Sequence, residues 1–183
     1  ANSDEDYAHT KAIIAATDPF AQVEVASRPL VSVIMPAFRD SAYIADALRS
    51  VAYQTMRDWE CIVVDDGATE ELRSQLDPFL KDSRVRYVRH GANRGLPTAR
   101  NTGLALSRGL LVQFLDADDM LLPKALELRI SAFAENVGFP EACGAYGPII
   151  HVPPNSTLNS VQSFAGKQSG VKPGLTESGF SDW

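Results

Sequence analysis

Cysteine is nearly absent from this chain: Cys61 and Cys143 are the only two among 183 residues. Two are too few for a disulfide framework or a zinc site. Each lies in an apolar run, which favours buried free thiols in a reducing compartment. Positive charge is also scarce. Lysine and arginine total 17 against 23 acids, a net charge of -6, which argues against holding nucleic acid by phosphate neutralisation. No apolar run approaches the roughly 18 residues needed to span a bilayer. Ala1 to Asp6 are acidic and lack the basic start of a secretory signal. Two phosphate signatures are missing as well: there is no G-x-x-x-x-G-K-[ST] loop, and no G-x-G-x-x-G follows the first expected strand. A kinase-like ATP site and an NAD site are therefore disfavoured. What remains, with 45% hydrophobic and 22% charged residues, is one globular domain long enough for a sizeable core.

The stretch that organises the chain is Leu110 to Asp119, LLVQFLDADD. Its apolar run reads as a buried strand, and it ends in three carboxylates within four positions, with Pro123 where a helix would begin. Carboxylates resist desolvation unless a cation meets them. A hard divalent cation would answer this, taking oxygen ligands and leaving positions for water and phosphate. Asp118 or Asp119 could equally cap the next helix and suit its dipole.

The flanking pattern bears on that choice. Leu30 to Met35, closed by Pro36, reads as a strand, and so do Trp59 to Val64 and Val85 to Val88. Helices are expected through Ile44, Leu48 and Val51, through Leu72, Leu76 and Phe79, from Pro97 to about Ser107, and through Leu126, Ile130, Phe133 and Val137. Thr69 is placed to cap the second of these. A fifth strand is expected over Gly144 to Val152. Such alternation predicts an α/β fold, a three-layer, doubly wound, mostly parallel sheet with right-handed crossovers. Residues 1–29 read as an N-terminal helical arm, 30–152 as the α/β domain, and 153–183 as a polar loop or the start of a second half that continues further. In a doubly wound sheet ligands bind at the carboxyl edge. Pro36-Ala37-Phe38, Asp65-Asp66, His90 and Asp116-Ala117-Asp118 should meet there, and carboxylates ending two strands favour a shared binding role over two separate helix caps. A metal bridging a diphosphate in such a crevice would suit transfer from a nucleotide diphosphate sugar.

The span from Pro29 to about Val152 resembles the donor-binding half of glycosyltransferase family 2, inverting enzymes of the GT-A fold. The matching pieces occur in family order: Val31 to Phe38; Ser50 to Gln54; Glu60 to Gly67; Asn93-Arg94-Gly95 with Ala99 to Gly103; and Phe114 to Asp119 with Pro123. The resemblance implies that Pro36, Ala37 and Phe38 line a base pocket with the Phe38 ring against the nucleobase. Asp66 would accept a hydrogen bond from the base, with Asp65 supporting it from behind. Arg100 would face base or diphosphate, Asp116 would lie near ribose or metal, and Asp118 would bind the metal, Mn2+ or Mg2+. Glu60 and Gln54 would serve the fold. Arg94 reads as an exposed turn charge, and His90 as a satisfied surface group.

The chain also departs from the family pattern. Arg39 stands where Asn is common, and Ala68 where Ser is common. Neither the usual Glu-Asp pair of the catalytic base nor a Gln-x-x-Arg-Trp motif is present. Gly179 to Trp183 resembles the approach to the base region, with Asp182 at the base position. The leading expectation is a metal-assisted transferase that moves a sugar from a nucleotide-sugar donor, a UDP-sugar first, to a glycan, lipid-linked or protein acceptor. It would act in the cytoplasm or at the inner face of the membrane, without nucleic-acid partners and without a membrane span in this chain. The alternatives are a non-catalytic nucleotide-sugar-binding module and a nucleotidyltransferase of similar topology. The latter would need a basic glycine-rich loop early in the chain, which is missing.

Overall fold

The computed structural model describes residues 28–38, 41–68 and 70–135. Four parallel strands, β1 (Val31–Ala37), β2 (Trp59–Asp65), β3 (Val85–Arg89) and β4 (Leu111–Phe114), form one sheet in the order β3-β2-β1-β4. The helices between them are α1 (Ser41–Ala52), α2 (Glu70–Leu76) and α3 (Leu96–Leu106), and α4 (Ala125–Glu135) follows β4. A short 3-10 turn, Phe79–Lys81, leads into β3. The expected N-terminal helix, the fifth strand over Gly144 to Val152, Arg39, the Thr69 cap, Cys143 and the polar tail with Asp182 lie outside the described residues. Among the described residues no helix is long and apolar enough to cross a membrane.

Every residue of β1 and β2 is buried, because both faces of a parallel sheet are covered by crossover helices. Val31, Val33, Met35 and Ala37 point to one face, where Ile44, Leu48 and Val51 of α1, Leu72 and Leu76 of α2, and Leu126 and Ile130 of α4 complete the larger core. The opposite face is closed by α3, whose Ala99 packs on Ile62 and Val64. The three layers expected from the alternation are therefore present.

Three details differ from the sequence expectation. Pro36 does not close β1, which runs on to Ala37. The ladder with β4 ends at Ile34 opposite Phe114, and Leu115 donates its N–H to the Ile34 carbonyl. Pro36 faces the same side one step further on, where its missing N–H costs no ladder bond. The second helix of the pattern stops at Leu76, and Phe79 begins the 3-10 turn instead. The organising strand is not fully buried either. In β4 alternate residues are exposed, Phe114 by 43%, because β4 is the edge strand among the described residues.

Gly103 sets how closely α3 approaches the sheet. A Cβ there would lie 2.3 Å from the Ile34 Cγ2 and 3.3 Å from its Cβ. An alanine would raise helix propensity by about 1 kcal/mol, yet inserting a methyl group into a packed interior costs about 1–3 kcal/mol. The backbone-proximal clash should win. Gly103→Ala is expected to lower the unfolding free energy by about 1 kcal/mol or more, read as a lower urea midpoint with an unchanged slope.

Candidate functional site

β1 lies between β2 and β4, so the chain leaves it in opposite directions on its two sides. A crevice opens at such a switch point, beyond the carboxyl ends of the strands. Here it encloses about 300 Å3. The end of β1 contributes Pro36, Ala37 and Phe38, and the end of β2 contributes Asp66. Asp116, Ala117 and Asp118 come from the turn after β4, and Asn93, Leu96 and Ala99 from the start of α3 and the loop before it. Six of the residues singled out in the sequence, Pro36, Ala37, Phe38, Asp66, Asp116 and Asp118, thus line one space. Asp65 and Arg100 stand a layer behind it.

Asp66 is 3% exposed and held by three donors. Its Oδ1 meets His90 Nδ1 at 2.6 Å and accepts the Arg94 N–H at 2.9 Å, while Oδ2 accepts the Gly95 N–H at 2.7 Å. Burial pushes its carboxyl up, but these three hydrogen bonds outweigh burial and hold it below the ordinary carboxylate value. His90 is not the surface group expected of it. It is 7% exposed, and its Nε2 meets the Thr102 hydroxyl at 2.9 Å. Arg94 has an exposed side chain and contributes its backbone to Asp66.

Asp65 is buried behind Asp66. It accepts the Ala68 N–H and the Tyr87 hydroxyl, both at 2.6 Å, and Arg89 approaches at 3.5 Å. Burial and this carboxylate together push the Tyr87 phenol up to about 12. Arg100 reaches both oxygens of Asp116, at 2.8 and 3.2 Å, and its guanidinium lies 5.8 Å from the Phe114 ring. It therefore steadies a lining carboxylate from outside the crevice.

The acidic turn is tied down from below. The Asp119 N–H closes it on the Asp116 carbonyl at 3.0 Å. Ser50 and Gln54, wholly buried on α1 and just past it, hold the segment that follows. The Ser50 hydroxyl accepts the Leu121 N–H, and the Gln54 amide donates to the Leu122 carbonyl and accepts the Leu126 N–H. Pro123 consequently serves as a carbonyl acceptor for the Thr55 N–H rather than as the first helical residue, and α4 starts at Ala125.

Asp118 is the exception among these acids. It is exposed, and it makes no side-chain hydrogen bond or ion pair among the described residues. Among those residues no cluster of three or more His, Cys, Asp or Glu side chains could cage a metal. Two hard carboxylates on one crevice, Asp116 and Asp118, fit instead a cation that takes most of its ligands from phosphate and water.

Fold and crevice together define a doubly wound α/β protein with an acidic ligand site at its switch point. The family model Glycosyl transferase family 2 matches residues 32–161, and the chain belongs to that family, with the GT-A fold. Its relatives include an Escherichia coli chondroitin synthase, 37% identical over 110 residues, which cover 60% of this chain and 16% of that protein. They also include the E. coli UDP-Glc:alpha-D-GlcNAc-diphosphoundecaprenol beta-1,3-glucosyltransferase WfgD, 36% identical over 107 residues, or 58% of this chain and 42% of that protein. The crystal structure of S. aureus TarS 1-349 in complex with UDP superposes with a TM-score of 0.53 at 28% identity, covering 58% of this chain and 32% of that one. The chain thus spans less than half the length of each.

Among the residues of this crevice, Asn93 and Leu96 were not singled out in the sequence, and neither was Thr102 behind it. The signal for Asn93 was present in the Asn93-Arg94-Gly95 motif. Thr102 lies likewise within the Ala99 to Gly103 stretch, which carries no mark of its contact with His90.

Two predictions follow from the Asp66 hub. At Gly67, φ is +81°, and a Cβ would lie 2.7 Å from the Asn93 nitrogen and 2.8 Å from the Ala92 carbonyl carbon. Gly67→Ala should lever residues 92–95 off Asp66, costing about 2–3 kcal/mol and speeding amide exchange at Arg94 and Gly95. A fall under about 0.5 kcal/mol would contradict this. Second, a carboxyl held below its unfolded value contributes stability that is complete above the unfolded pKa, ordinarily 3.8 for Asp66, and is lost as pH falls through the folded one. Urea midpoints should drop on acidification below about pH 4, and Asp66→Asn should lessen that slope.

Proposed function

We propose that the crevice binds a nucleoside diphosphate sugar, UDP-linked, and that the whole protein transfers the sugar to an acceptor hydroxyl with inversion. The observation that carries this reading is the contrast between Asp118 and every other acid of the site: Asp118 alone lines the crevice, is exposed, and has no side-chain partner among the described residues. Phe38 supplies a ring for the base, and Asp66 is a charged acceptor in the same crevice. Asp116, steadied by Arg100, and Asp118 stand at the other side, where the diphosphate would lie. There they would hold Mn2+ or Mg2+, which when bound neutralises charge on the departing diphosphate. Attack from the face opposite the leaving group inverts the anomeric carbon, and a carboxylate base takes the acceptor proton. Asp182 is the candidate base that the sequence offers. The UDP complex of TarS and the UDP-glucose donor named for WfgD support the uridine reading. A growing glycan, as the name chondroitin synthase suggests, or a lipid-linked sugar, as for WfgD, is the acceptor class to test first. Such a reaction would be run in the cytoplasm or at the inner face of the membrane.

Calorimetric titration with UDP, with and without Mn2+, tests the site. The wild type is expected to bind UDP about tenfold or more tightly with metal, a difference of about 1.4 kcal/mol. Asp118→Asn should lose that increment while keeping the metal-free affinity and the thermal midpoint. An undiminished metal effect in the variant would remove Asp118 from the metal site.

A further inference from the structure

We propose that His90, oriented by Thr102, is a positioning residue that aims the Asp66 carboxylate at a ring N–H of the nucleobase and thereby sets the base preference of the crevice. The inference rests on the nucleotide reading above and goes beyond it by assigning two residues that do not line the crevice themselves.

Three elements meet in this relay. Thr102 lies on α3, His90 directly follows β3, and Asp66 directly follows β2. The Thr102 hydroxyl is 2.9 Å from His90 Nε2, and His90 Nδ1 is 2.6 Å from Asp66 Oδ1. A neutral imidazole carries one N–H and one acceptor nitrogen. An ionised carboxylate only accepts, so the nitrogen facing Asp66 must carry the proton. Nε2 is then the acceptor and Thr102 the donor. The carboxylate thus selects the tautomer, and the Thr102 hydroxyl, donating to Nε2, satisfies the other ring nitrogen and fixes the orientation of the imidazole. With the proton moved to Nε2, a lone pair would face the carboxylate and push it out of place.

The consequence for recognition is a matter of counting. A carboxylate offers about four acceptor positions. On Oδ1 two are taken, by His90 and the Arg94 N–H, and on Oδ2 one is taken by the Gly95 N–H. Among the described residues, the one left over belongs to Oδ2, on a residue that lines the crevice. Its orientation is held from behind by His90 and from the loop by two backbone amides. An acceptor fixed in this way favours a base that presents a ring N–H, as uracil does at N3. It disfavours cytosine, which presents a lone pair at the same position, because two acceptors brought together are left unpaired.

UDP and CDP, titrated against the full chain at equal metal concentration, provide the probe, since they differ at that base edge. The wild type should prefer UDP by at least tenfold. Thr102→Val, close in shape but without the donor, should reduce that preference about tenfold by weakening UDP while leaving CDP affinity in place. Thr102→Ser should restore it. His90→Asn, whose amide nitrogen can replace Nδ1, should retain most of it. A merely structural role for Thr102 predicts instead a lower melting point with both nucleotides weakened alike. That outcome, or an unchanged preference in folded Thr102→Val, overturns the proposal. Nitrogen-15 spectra of the imidazole supply an arm that needs no ligand: the His90 proton should reside on Nδ1, and the Nε2 resonance should shift in Thr102→Val as its hydrogen bond is lost. A proton found on Nε2 of the wild type overturns the relay directly. Failure of the wild type to bind either nucleotide, with the proton on Nδ1, counts against the nucleotide reading and with it the base preference, while the relay geometry stands.

Discussion

A single buried charge shapes the working edge of this molecule. Placing the Asp66 carboxylate where it is 3% exposed would be costly without compensation, and the compensation comes from His90 and the amides of Arg94 and Gly95. Those donors belong to the segment that joins β3 to α3. Satisfying the charge therefore draws that segment over the end of β2, which in turn delivers Asn93, Leu96 and Ala99 to the crevice. The close passage of residues 92 and 93 over Gly67 belongs to the same arrangement.

The opposite edge of the sheet follows the same logic. Glu60, at the start of β2, is almost wholly buried and accepts from the Ser32 hydroxyl, the Arg108 N–H and the Arg86 and Arg108 guanidiniums. Burial raises its carboxyl, but Ser32 and Arg108 together bring it below its ordinary value. Ser32 also accepts the Gly109 N–H, so the turn into β4 is bound to β1. Acids at both ends of β2 thus fix the neighbouring segments. Removing one partner of such a buried group is typically far more destabilising than its net contribution suggests, because the other is left without compensation.

Within the site the acids divide by what they touch. Asp65 is engaged by internal donors, Asp66 is held by three of them, and Asp116 is shared with Arg100. Asp118 has no side-chain partner among the described residues. Four carboxylates that look alike in the sequence therefore stand in distinct surroundings. The division arises from neighbours 16 to 29 residues away in the chain.

Much of the scaffold was legible from residues alone. Buried strands and amphipathic helices announce themselves by local hydrophobic pattern, and the alternation of the two implies a parallel doubly wound sheet whose carboxyl edge gathers Phe38, Asp66, Asp116 and Asp118. Ordered motifs identified the family for the same reason: they are contiguous. Strand ends were less legible, because whether Pro36 can continue a strand depends on where its neighbour's ladder stops. His90 was misplaced on the surface because a lone histidine has no local pattern, and its burial depends on Asp66 and Thr102 reaching it from two other elements. The sequence by itself determined the order of elements and which acids stand at one edge, since both follow from short-range periodicity. Only the tertiary structure decided which of those acids remain available, since hydrogen-bond satisfaction is settled between segments far apart in the chain.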